Sequence, residues 1–343
     1  MKGWFHQLRE TDPRFQGPED FRRTRSTTLA GVREAFEDLR PEADFVLFDL
    51  GERSLLEPIS SGAPEFRVTQ YDPRLLADRH RSGKHQYLVA RQAIEADIVI
   101  NLPKLKTHKK AGVTCALKNL IGINGNKEFL PHHRLGGSAR GGDCYEGGGR
   151  FRFLLEKTMD RYNMARSRAG ARIWRSAADI AARFAKHLNG SDEIEGAWWG
   201  NDTIWRTCLD LNRILLYGRS DGTLADSPQR KVIHVVDAVT AGQGDGPLAP
   251  DALPMGLLLA GANAPAVDWI CVQLLGFDPH RIPISRHAFS KFRWPLVSDS
   301  PEAVRAVGEG LGSDFDPGSF FSGEIKHPAG WLGAVSSKEL SGD

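Results

Sequence analysis

The stretch HQYLVARQAIEADIVINLPKLKTH, residues 85–108, decides the predicted fold. In its first half, Leu88, Ala90 and Ile94 recur at a spacing that predicts a helix, and the apolar run DIVINLP that follows predicts a buried strand. An earlier apolar run, DFVLFDLG at residues 44–51, ends at a glycine and predicts another strand. A strand, a helix and a strand in succession predict a parallel α/β arrangement.

The C-terminal half of the chain repeats this order. KVIHVVDAV at residues 231–239 predicts a strand that ends near an acid, and GLLLAG at residues 256–261 predicts a second strand. PAVDWICVQLLG at residues 265–276 predicts a helix that stops at a glycine. The sequence therefore predicts two α/β portions on either side of a different middle region.

The middle region, residues 150–217, carries apolar side chains near helical spacing, which predicts a helical insertion. The predicted fold class is α/β, with a mainly parallel sheet flanked by helices and this insertion in the middle of the chain. The predicted division is an irregular or helical N-terminal segment at residues 1–43, with a helix at 28–39, and a first α/β portion at 44–149. After the insertion, a second α/β portion at 218–343 completes the same domain.

One predicted helix of the middle region carries charged residues that follow one another at steps of three and four, which places them on one stripe. The stripe consists of Asp202, Arg206, Asp210 and Arg213. A solvated face of ion pairs and a face turned into a cleft both fit this pattern.

The charge balance excludes a strongly basic nucleic-acid-binding protein. The chain has 45 Lys and Arg against 43 Asp and Glu among 343 residues, for a formal net charge of +2. Any positively charged site is therefore local. The cysteines are widely spaced and form no CxxC pair, which favours a reducing compartment and argues against an iron–sulfur cluster held by this chain alone. They are Cys115, Cys144, Cys208 and Cys271.

The sequence predicts a cytoplasmic protein. The N-terminal stretch MKGWFHQLRETDPRF is charged and lacks the apolar core of a signal peptide. The long apolar run at residues 253–277 is interrupted by Asn263, Pro265 and Asp268, each of which would be costly in lipid. We therefore expect no contact with a membrane and none with nucleic acid.

The PKLKTH element places basic side chains at alternate positions. Side chains at alternate positions of a strand share a face, so Lys104, Lys106 and His108 are expected to point the same way at the end of a strand. Open α/β sheets bind ligands at such strand ends. Three cations in one row need negative charge among them, which predicts an anionic ligand or nearby aspartates.

Further basic and polar residues follow this element. Lys118 and Asn119 are expected at the far end of a short helix, and His132, His133 and Arg134 open a glycine-rich segment that we expect to close over the site. Adjacent histidines on an extended strand face opposite ways, so at most one of the two is expected beside His108. These residues, together with Lys104, are the predicted substrate-binding residues.

Three acids are candidates to complement the cations. Asp237 ends a predicted strand, Asp245 lies in the loop GQGDGP, and Asp268 begins a predicted helix. Acids at the carboxyl edge of a sheet are candidate bases or metal ligands. The predicted catalytic residues are His108, Lys106 and Asp237, and the predicted metal ligands are His108, Asp245 and Asp268. For Asp268, a charge that only favours a helix start is nearly as good an interpretation.

Known catalytic motifs are absent from the sequence. It contains no GxxxxGK[ST] phosphate loop, no HExxH metal motif, no GxSxG nucleophile elbow and no GxGxxG after a strand. A phosphate-binding site in this chain would therefore consist of side chains and of backbone amides from separate segments.

The stretch NLPKLKTHKKAGVTCALKNLIGINGNK, residues 101–127, closely resembles the signature of the domain-of-unknown-function family 362. In that family a strand leads into a PKxKTH element and then a GVTxALKN segment. HVVDAVTAGQGDGP and AGANAPAVDWICVQLLGFDP resemble its later blocks, and HHRLGG with GNDTIWRTCLDLNRILLYG resembles one bacterial subgroup. The resemblance runs from about residue 44 to residue 284.

The resemblance implies a protein whose biochemistry is largely unassigned. Some family members carry a ferredoxin-like segment with cysteine clusters, which implies redox chemistry in those members, and this sequence has no such cluster. Members generally begin with a strand, a Lys-Pro-Asn element and a further α/β unit, which are not found before Asp44. The resemblance therefore predicts a chain whose first unit is replaced or missing.

The predicted function is that of an enzyme on a small anionic substrate, phosphorylated or carboxylated, with a divalent metal ion as the candidate cofactor. One alternative is an oxidoreductase or electron-transfer component that uses the iron–sulfur cluster or flavin of a partner. Another is a non-catalytic metabolite-binding module. An oligomer or a redox partner is compatible with these functions, and the sequence names neither substrate nor reaction.

Overall fold

The computed structural model describes residues 2–12, 14, 15, 17, 19–29, 32–62, 65–308, 315–321 and 323–335. Its strands are β1 (Thr24–Leu29), β2 (Val32–Asp38), β3 (Phe45–Asp49), β4 (Phe66–Arg67), β5 (His80–Arg81), β6 (Lys84–Ala90), β7 (Ile98–Asn101), β8 (Lys104–His108), β9 (Gly112–Thr114), β10 (His133–Arg134), β11 (Lys231–Gln243) and β12 (Asp251–Gly261). Its α-helices are α1 (Lys2–Thr11), α2 (Pro73–Arg79), α3 (Arg91–Glu95), α4 (Ala116–Asn119), α5 (Arg150–Asn163), α6 (Arg168–Asn189), α7 (Ile204–Tyr217), α8 (Ala264–Leu274) and α9 (Pro283–Ala288).

The largest sheet is mixed. Strand β11 pairs in parallel with β7 and β8 and antiparallel with β12, while β9 pairs antiparallel with β8. The connection between β11 and β12, residues 244–250, is short, so β12 can pair with β11 only in the antiparallel direction. A parallel pairing of the two strands would need a long crossover connection. The chain thus combines helices with a sheet that contains parallel strands. This sheet is not mainly parallel as predicted, since two of its four described strand pairs are parallel and two are antiparallel.

Strand β6 occupies the start of residues 85–108, where a helix was predicted, so that prediction is wrong. β6 pairs antiparallel with β3 and β5, and the helix that follows, α3, is short. Both faces of β6 are buried, with Tyr87 and Val89 in one apolar cluster and Leu88 and Ala90 in another. A strand covered on both faces has a continuous apolar sequence, which helical spacing also fits.

Two antiparallel strands of the N-terminal segment lie where a helix was predicted. Strands β1 and β2 cover residues 28, 29 and 32–38 of that predicted helix, so the helix is wrong there, and residues 30 and 31 lie outside the described residues. The threonines of TRSTTL favour extended backbone because branching at Cβ restricts helical rotamers.

The helices of the middle region differ in burial. Helices α5 and α6 pack on each other around a small cluster of Leu155, Ala178 and Ala181. Helix α7 instead runs through the main core, where Ile204, Cys208 and other residues of its apolar stripe are buried. The helices predicted at residues 150–217 are present, and the division of the chain into domains stays a prediction.

The polar stripe of α7 enters the protein interior. Asp210 and Arg213 are buried, and Arg213 Nη1 lies 2.8 Å from Asp210 Oδ1. The hydroxyls of Ser54 and Tyr87 donate to Oδ2 of Asp210 at 2.5 and 2.9 Å. This half of the stripe therefore ties α7 to the segment after β3 and to β6, and it forms neither a solvated face nor a cleft wall.

The apolar run at residues 253–277 forms strand β12 and helix α8, as predicted. Asn263 caps α8, because its side chain accepts a hydrogen bond from the N–H of Ala266 at 3.1 Å. In the described part of the chain, no helix has both the length and the apolar character needed to cross a membrane.

Candidate functional site

The loop between β11 and β12 packs against the end of β8. The hydroxyl of Thr107 donates to the carbonyl of Gly244 at 2.7 Å, and the N–H of Lys109 donates to the carbonyl of Gly246 at 3.0 Å. A Cβ atom on Gly246 would lie 1.9 Å from the carbonyl oxygen of Thr107, so only glycine fits this close approach. The loop GQGDGP therefore holds the backbone next to His108 in place.

At the start of β8, Lys104 forms an exposed ion pair. Its Nζ lies 2.8 Å from Oδ2 of Asp237 on β11, and the two side chains are 46% and 50% exposed. The hydrogen bond from Lys104 is the largest cause of a lowered pKa of Asp237. An exposed pair of this kind contributes about 0–1 kcal/mol to stability. The structure thus places the predicted base Asp237 and Lys104 at the surface, paired with each other.

Basic side chains gather at the other end of β8, and we call this group the cationic cluster. Its members are Lys106, His108, Lys110, Lys118 and His132. After burial itself, the charges of Lys118, His132, Lys110 and Lys106 all lower the pKa of His108, which lies well below its usual value. Further positive charge is therefore disfavoured in this cluster.

Lys118 is the least compensated member of the cationic cluster. It lies on α4 and is buried, and within the described residues no carboxylate pairs with it. Burial is the largest influence on the pKa of Lys118 and lowers it, Cys208 opposes this effect, and the charge of Lys106 lowers the pKa by a smaller amount. The side-chain amide of Asn212 on α7 donates to the carbonyl of Leu117 at 2.9 Å, which anchors the helix that carries Lys118.

Lys106 faces an unsatisfied hydroxyl. Its Nζ donates to the carbonyl of Pro247 at 3.3 Å. Thr114 lies opposite Lys106 in the antiparallel pair of β8 and β9, so the two side chains share a face. The buried Oγ1 of Thr114 has no hydrogen-bond partner among the described residues. A buried hydroxyl without a partner beside cations is a candidate ligand contact.

His108 is neutral and its tautomer is fixed by the backbone. The N–H groups of Lys110 and Ala111 point at Nδ1 of His108, at 3.0 and 3.3 Å. Nδ1 must therefore accept, and the ring proton lies on Nε2. Since burial and the surrounding cations lower its pKa, His108 presents an Nε2–H donor near neutral pH.

His132 has the opposite tautomer. Its Nδ1 lies 2.6 Å from the carbonyl oxygen of Leu130, which can only accept, so Nδ1 carries the proton and Nε2 has the lone pair. Burial and then the charges of Lys110 and Lys118 lower the pKa of His132 to about 3. The cationic cluster therefore combines ammonium groups, one neutral N–H donor and one neutral nitrogen acceptor.

Lys110 is partly neutralised. Its Nζ donates to the hydroxyl of Thr69 at 2.5 Å and lies 3.6 Å from Oε2 of Glu195. Burial lowers the pKa of Lys110, and the charge of Glu195 opposes this effect. Among the lysines of the cluster, Lys106 and Lys118 are thus left with no carboxylate partner in the described part of the chain.

Two of the predicted substrate-binding residues, Asn119 and Arg134, contact other side chains of the protein. The side-chain amide of Asn119 donates to Oδ1 of Asn101 at 2.7 Å. Nε of Arg134 lies 3.5 Å from Oδ2 of Asp143, which is buried. His133 lies beside Cys144 and Glu156, within electrostatic reach of Lys110 and His132.

The predicted metal ligands are not brought together. Asp268 is buried, and its Oδ1 accepts hydrogen bonds from the N–H groups of Ala116 and Leu117 at 2.7 and 3.4 Å. Burial raises the pKa of Asp268 to about 7. Asp245 is exposed and lines a different cavity. Among the described residues, His108, Asp245 and Asp268 form no group whose ligand atoms lie within 4.8 Å of one another, whereas another trio does.

Some residues of the site escaped the sequence reasoning. Lys110 continues the alternation of Lys106 and His108 by one more step, so the pattern contained it. Thr114 had no such signal, because only the pairing of β8 with β9 places it opposite Lys106.

The fold and this cluster define an α/β protein with a cation-rich site at a strand end. The chain belongs to the domain of unknown function family DUF362, whose family model matches residues 68–273 and confirms the resemblance carried by PKLKTH. The chain is 24% identical over 234 residues to the thylakoid-associated protein sll1697 of Synechocystis sp.. The aligned region covers 68% of this chain and 47% of that protein. The chain thus spans about half the length of the curated relative it matches. No solved structure matches it.

Proposed function

We propose that this protein binds a small phosphorylated or carboxylated molecule in the cationic cluster and acts on it as an enzyme. The observation that carries the proposal is Lys118, a buried ammonium group beside Lys106 with no carboxylate partner among the described residues. A buried charge is costly unless it is paired, so such a group is normally compensated. An anionic ligand between Lys106 and Lys118 would supply this compensation.

The neighbouring groups suit the recognition of an anion that carries a reactive oxygen. Thr114 offers a hydroxyl and His108 an Nε2–H, both neutral donors that add no further repulsion. A neutral imidazole held in one tautomer can polarise a carbonyl or protonate an oxygen as charge develops on it. His132 presents the lone pair of its Nε2, which can accept a hydrogen bond from a hydroxyl group of the ligand.

The roles proposed here differ from the sequence-based set. Lys106 and Lys118 bind the anion, and His108 is the general acid. Asp237 is left out, because it is paired with Lys104 at the surface. The redox and the non-catalytic alternatives stay predictions. The association with thylakoids belongs to the relative's name, and the chain spans only about half of that protein.

Isothermal titration with inorganic phosphate and with small dicarboxylates tests the proposal. Wild type is expected to bind at one site, and Lys118→Met is expected to weaken binding at least tenfold, because methionine keeps an unbranched apolar stem but no charge. Lys104→Met is the matched control, since it removes an equal charge from the exposed pair with Asp237. Equal affinity in wild type and Lys118→Met would reject the site.

A further inference from the structure

A second group of side chains lies outside the cationic cluster. His133 on β10, Cys144 in the glycine-rich segment and Glu156 on α5 place one potential ligand atom each within 4.8 Å of the others. All three are buried, with exposed fractions of 3%, 1% and 4%. An imidazole and a carboxyl group are each costly to bury without a partner, so their meeting beside a thiol in the protein interior calls for an explanation.

Backbone contacts hold this trio in place. The N–H of Gly136 lies 3.0 and 3.1 Å from the two carboxylate oxygens of Glu156, and the carbonyl of Gly136 accepts from the N–H of Cys144 at 3.0 Å. The carbonyl of Cys144 accepts in turn from the N–H of Gly196 at 3.0 Å. Gly136 therefore orients the carboxyl group and the cysteine towards a common point, as supporting contacts do around metal ligands.

The residue next to Cys144 anchors the segment further. Asp143 is buried and accepts from the backbone N–H of Arg134 and from the hydroxyl of Thr203, the latter at 2.6 Å. The indole N–H of Trp198 donates to the carbonyl of Asp143 at 2.8 Å. The backbone next to Cys144 is thus held in place by Arg134, which precedes it in the chain, and by Trp198 and Thr203, which follow it.

His133 supplies an independent sign of a missing partner. Its Nδ1 is buried and has no hydrogen-bond partner among the described residues. Nearly all buried polar side-chain atoms in proteins have a partner, so this nitrogen needs one. A metal ion bound by the trio, or a hydrogen-bonding partner drawn in with it, would meet that need.

The geometry points to a site for one divalent cation of the Zn²⁺ type, bound by His133, Cys144 and Glu156. Zn²⁺ takes nitrogen, sulfur and oxygen ligands at about 2.0–2.3 Å, so tetrahedral ligand atoms lie roughly 3.3–3.8 Å apart, and small side-chain shifts bring this trio to that spacing. His133 and Glu156 also line a cavity of about 290 Å³ beside α5 and α6. Three protein ligands beside a cavity leave a fourth position for water or a small ligand.

The chemistry of the donors selects the metal. A thiolate and an imidazole favour Zn²⁺ over Mg²⁺ and Ca²⁺, which prefer oxygen ligands only. Cobalt(II) substitutes for Zn²⁺ in such sites and reports thiolate coordination by its absorption. The site shares no side chain with the cationic cluster, although, after burial itself, the charges of Lys110 and His132 lower the pKa of His133.

Metal titration of the full chain after removal of bound metal by a chelator tests this inference. Wild type is expected to bind one Co²⁺ per chain with the absorption of thiolate-bound cobalt, and Zn²⁺ is expected to displace it. Cys144→Ser is expected to lose the thiolate absorption, and Glu156→Gln is expected to lower the affinity for Zn²⁺ at least tenfold. The glutamine keeps an oxygen that accepts from Gly136, so the fold is expected to survive.

The control is Cys208→Ala, which removes another buried cysteine outside the trio. It is expected to bind Co²⁺ as wild type does, and circular dichroism establishes that each variant is folded. Failure of wild type to bind either metal would overturn the inference. Equal affinity and equal absorption in wild type, Cys144→Ser and Glu156→Gln would also overturn it, because the metal would then lie elsewhere.

Discussion

Lys110 donates its backbone N–H to Nδ1 of His108 over 3.0 Å, and this bond decides which ring nitrogen carries the proton. The N–H of Ala111 supports the same arrangement at 3.3 Å. A turn that follows β8 thus uses its own backbone to present Nε2–H to the cationic cluster. Two side-chain functions of His108 follow, one structural at Nδ1 and one chemical at Nε2, and substitutions can separate them.

His108→Asn is expected to keep the structural function and lose the chemical one. The asparagine Oδ1 occupies the place of Nδ1 and can accept from Lys110, so the free energy of unfolding is expected to change by less than about 1 kcal/mol. His108→Ala leaves both N–H groups unsatisfied and is expected to cost about 1–3 kcal/mol. Urea unfolding measures both values, and phosphate affinity is expected to fall in both variants. Full phosphate affinity in His108→Asn would exclude Nε2–H as a ligand contact.

Stability is expected to fall with acid because of His132. Its pKa is about 3 in the folded protein, whereas an unfolded histidine titrates near 6.5. Between these values the unfolded chain binds more protons, so the contribution of His132 is fully present above pH 6.5 and is lost as the pH falls towards 3. His132→Asn keeps a donor for the carbonyl of Leu130 and removes the titration.

The difference in unfolding free energy between wild type and His132→Asn is therefore expected to shift by about 1–2 kcal/mol against wild type between pH 7 and pH 5. Urea unfolding at several pH values measures this shift. A difference that does not change with pH would show that His132 is exposed to protonation in the folded state.

Asp268 is expected to be structural. Asp268→Ala removes the acceptor for the N–H groups of Ala116 and Leu117 at the start of α4 and is expected to cost about 2–4 kcal/mol. Asp268→Asn retains an acceptor oxygen and is expected to cost less. Asp245→Ala serves as the control, since Asp245 is exposed and is expected to change stability by under about 0.5 kcal/mol. A metal-dependent loss of stability in Asp268→Ala would instead favour the role first predicted.

The buried pair on α7 gives the largest expected loss of stability. Asp210→Ala leaves Arg213 charged and unpaired in the core and is expected to cost about 3–5 kcal/mol in thermal or urea unfolding. Asp226→Ala, which breaks an exposed pair with Arg293, is expected to cost under about 1 kcal/mol. Similar losses in the two variants would contradict the burial of the Asp210 pair.

The sequence predicted those elements whose pattern admits one interpretation. β11, β12 and α8 appear where the apolar runs predicted them. β6 was mistaken for a helix because a strand buried on both faces has no alternation to reveal it. The antiparallel pairing of β12 with β11 was not predicted either, because it depends on the length of the connecting loop rather than on the sequences of the two strands.

The candidate site was predictable only in part. Alternation along β8 led to Lys106 and His108, but it also included Lys104, which the pairing of β8 with β11 places opposite Asp237. Asp210 shows the same limit, since a charged stripe does not reveal that its partners come from distant segments. The trio of His133, Cys144 and Glu156 has no fixed spacing and is formed by the folding of a glycine-rich segment.

Urea unfolding of wild type and Lys118→Met, in chloride and in phosphate at equal ionic strength, tests the anion site most directly. In chloride, Lys118→Met is expected to be the more stable protein, because burial and Lys106 disfavour the charged lysine. At a phosphate concentration of about 100 times Kd, wild type is expected to gain about 2.7 kcal/mol and Lys118→Met much less. If Lys118→Met is no more stable than wild type in chloride and gains as much from phosphate, Lys118 does not form an anion site.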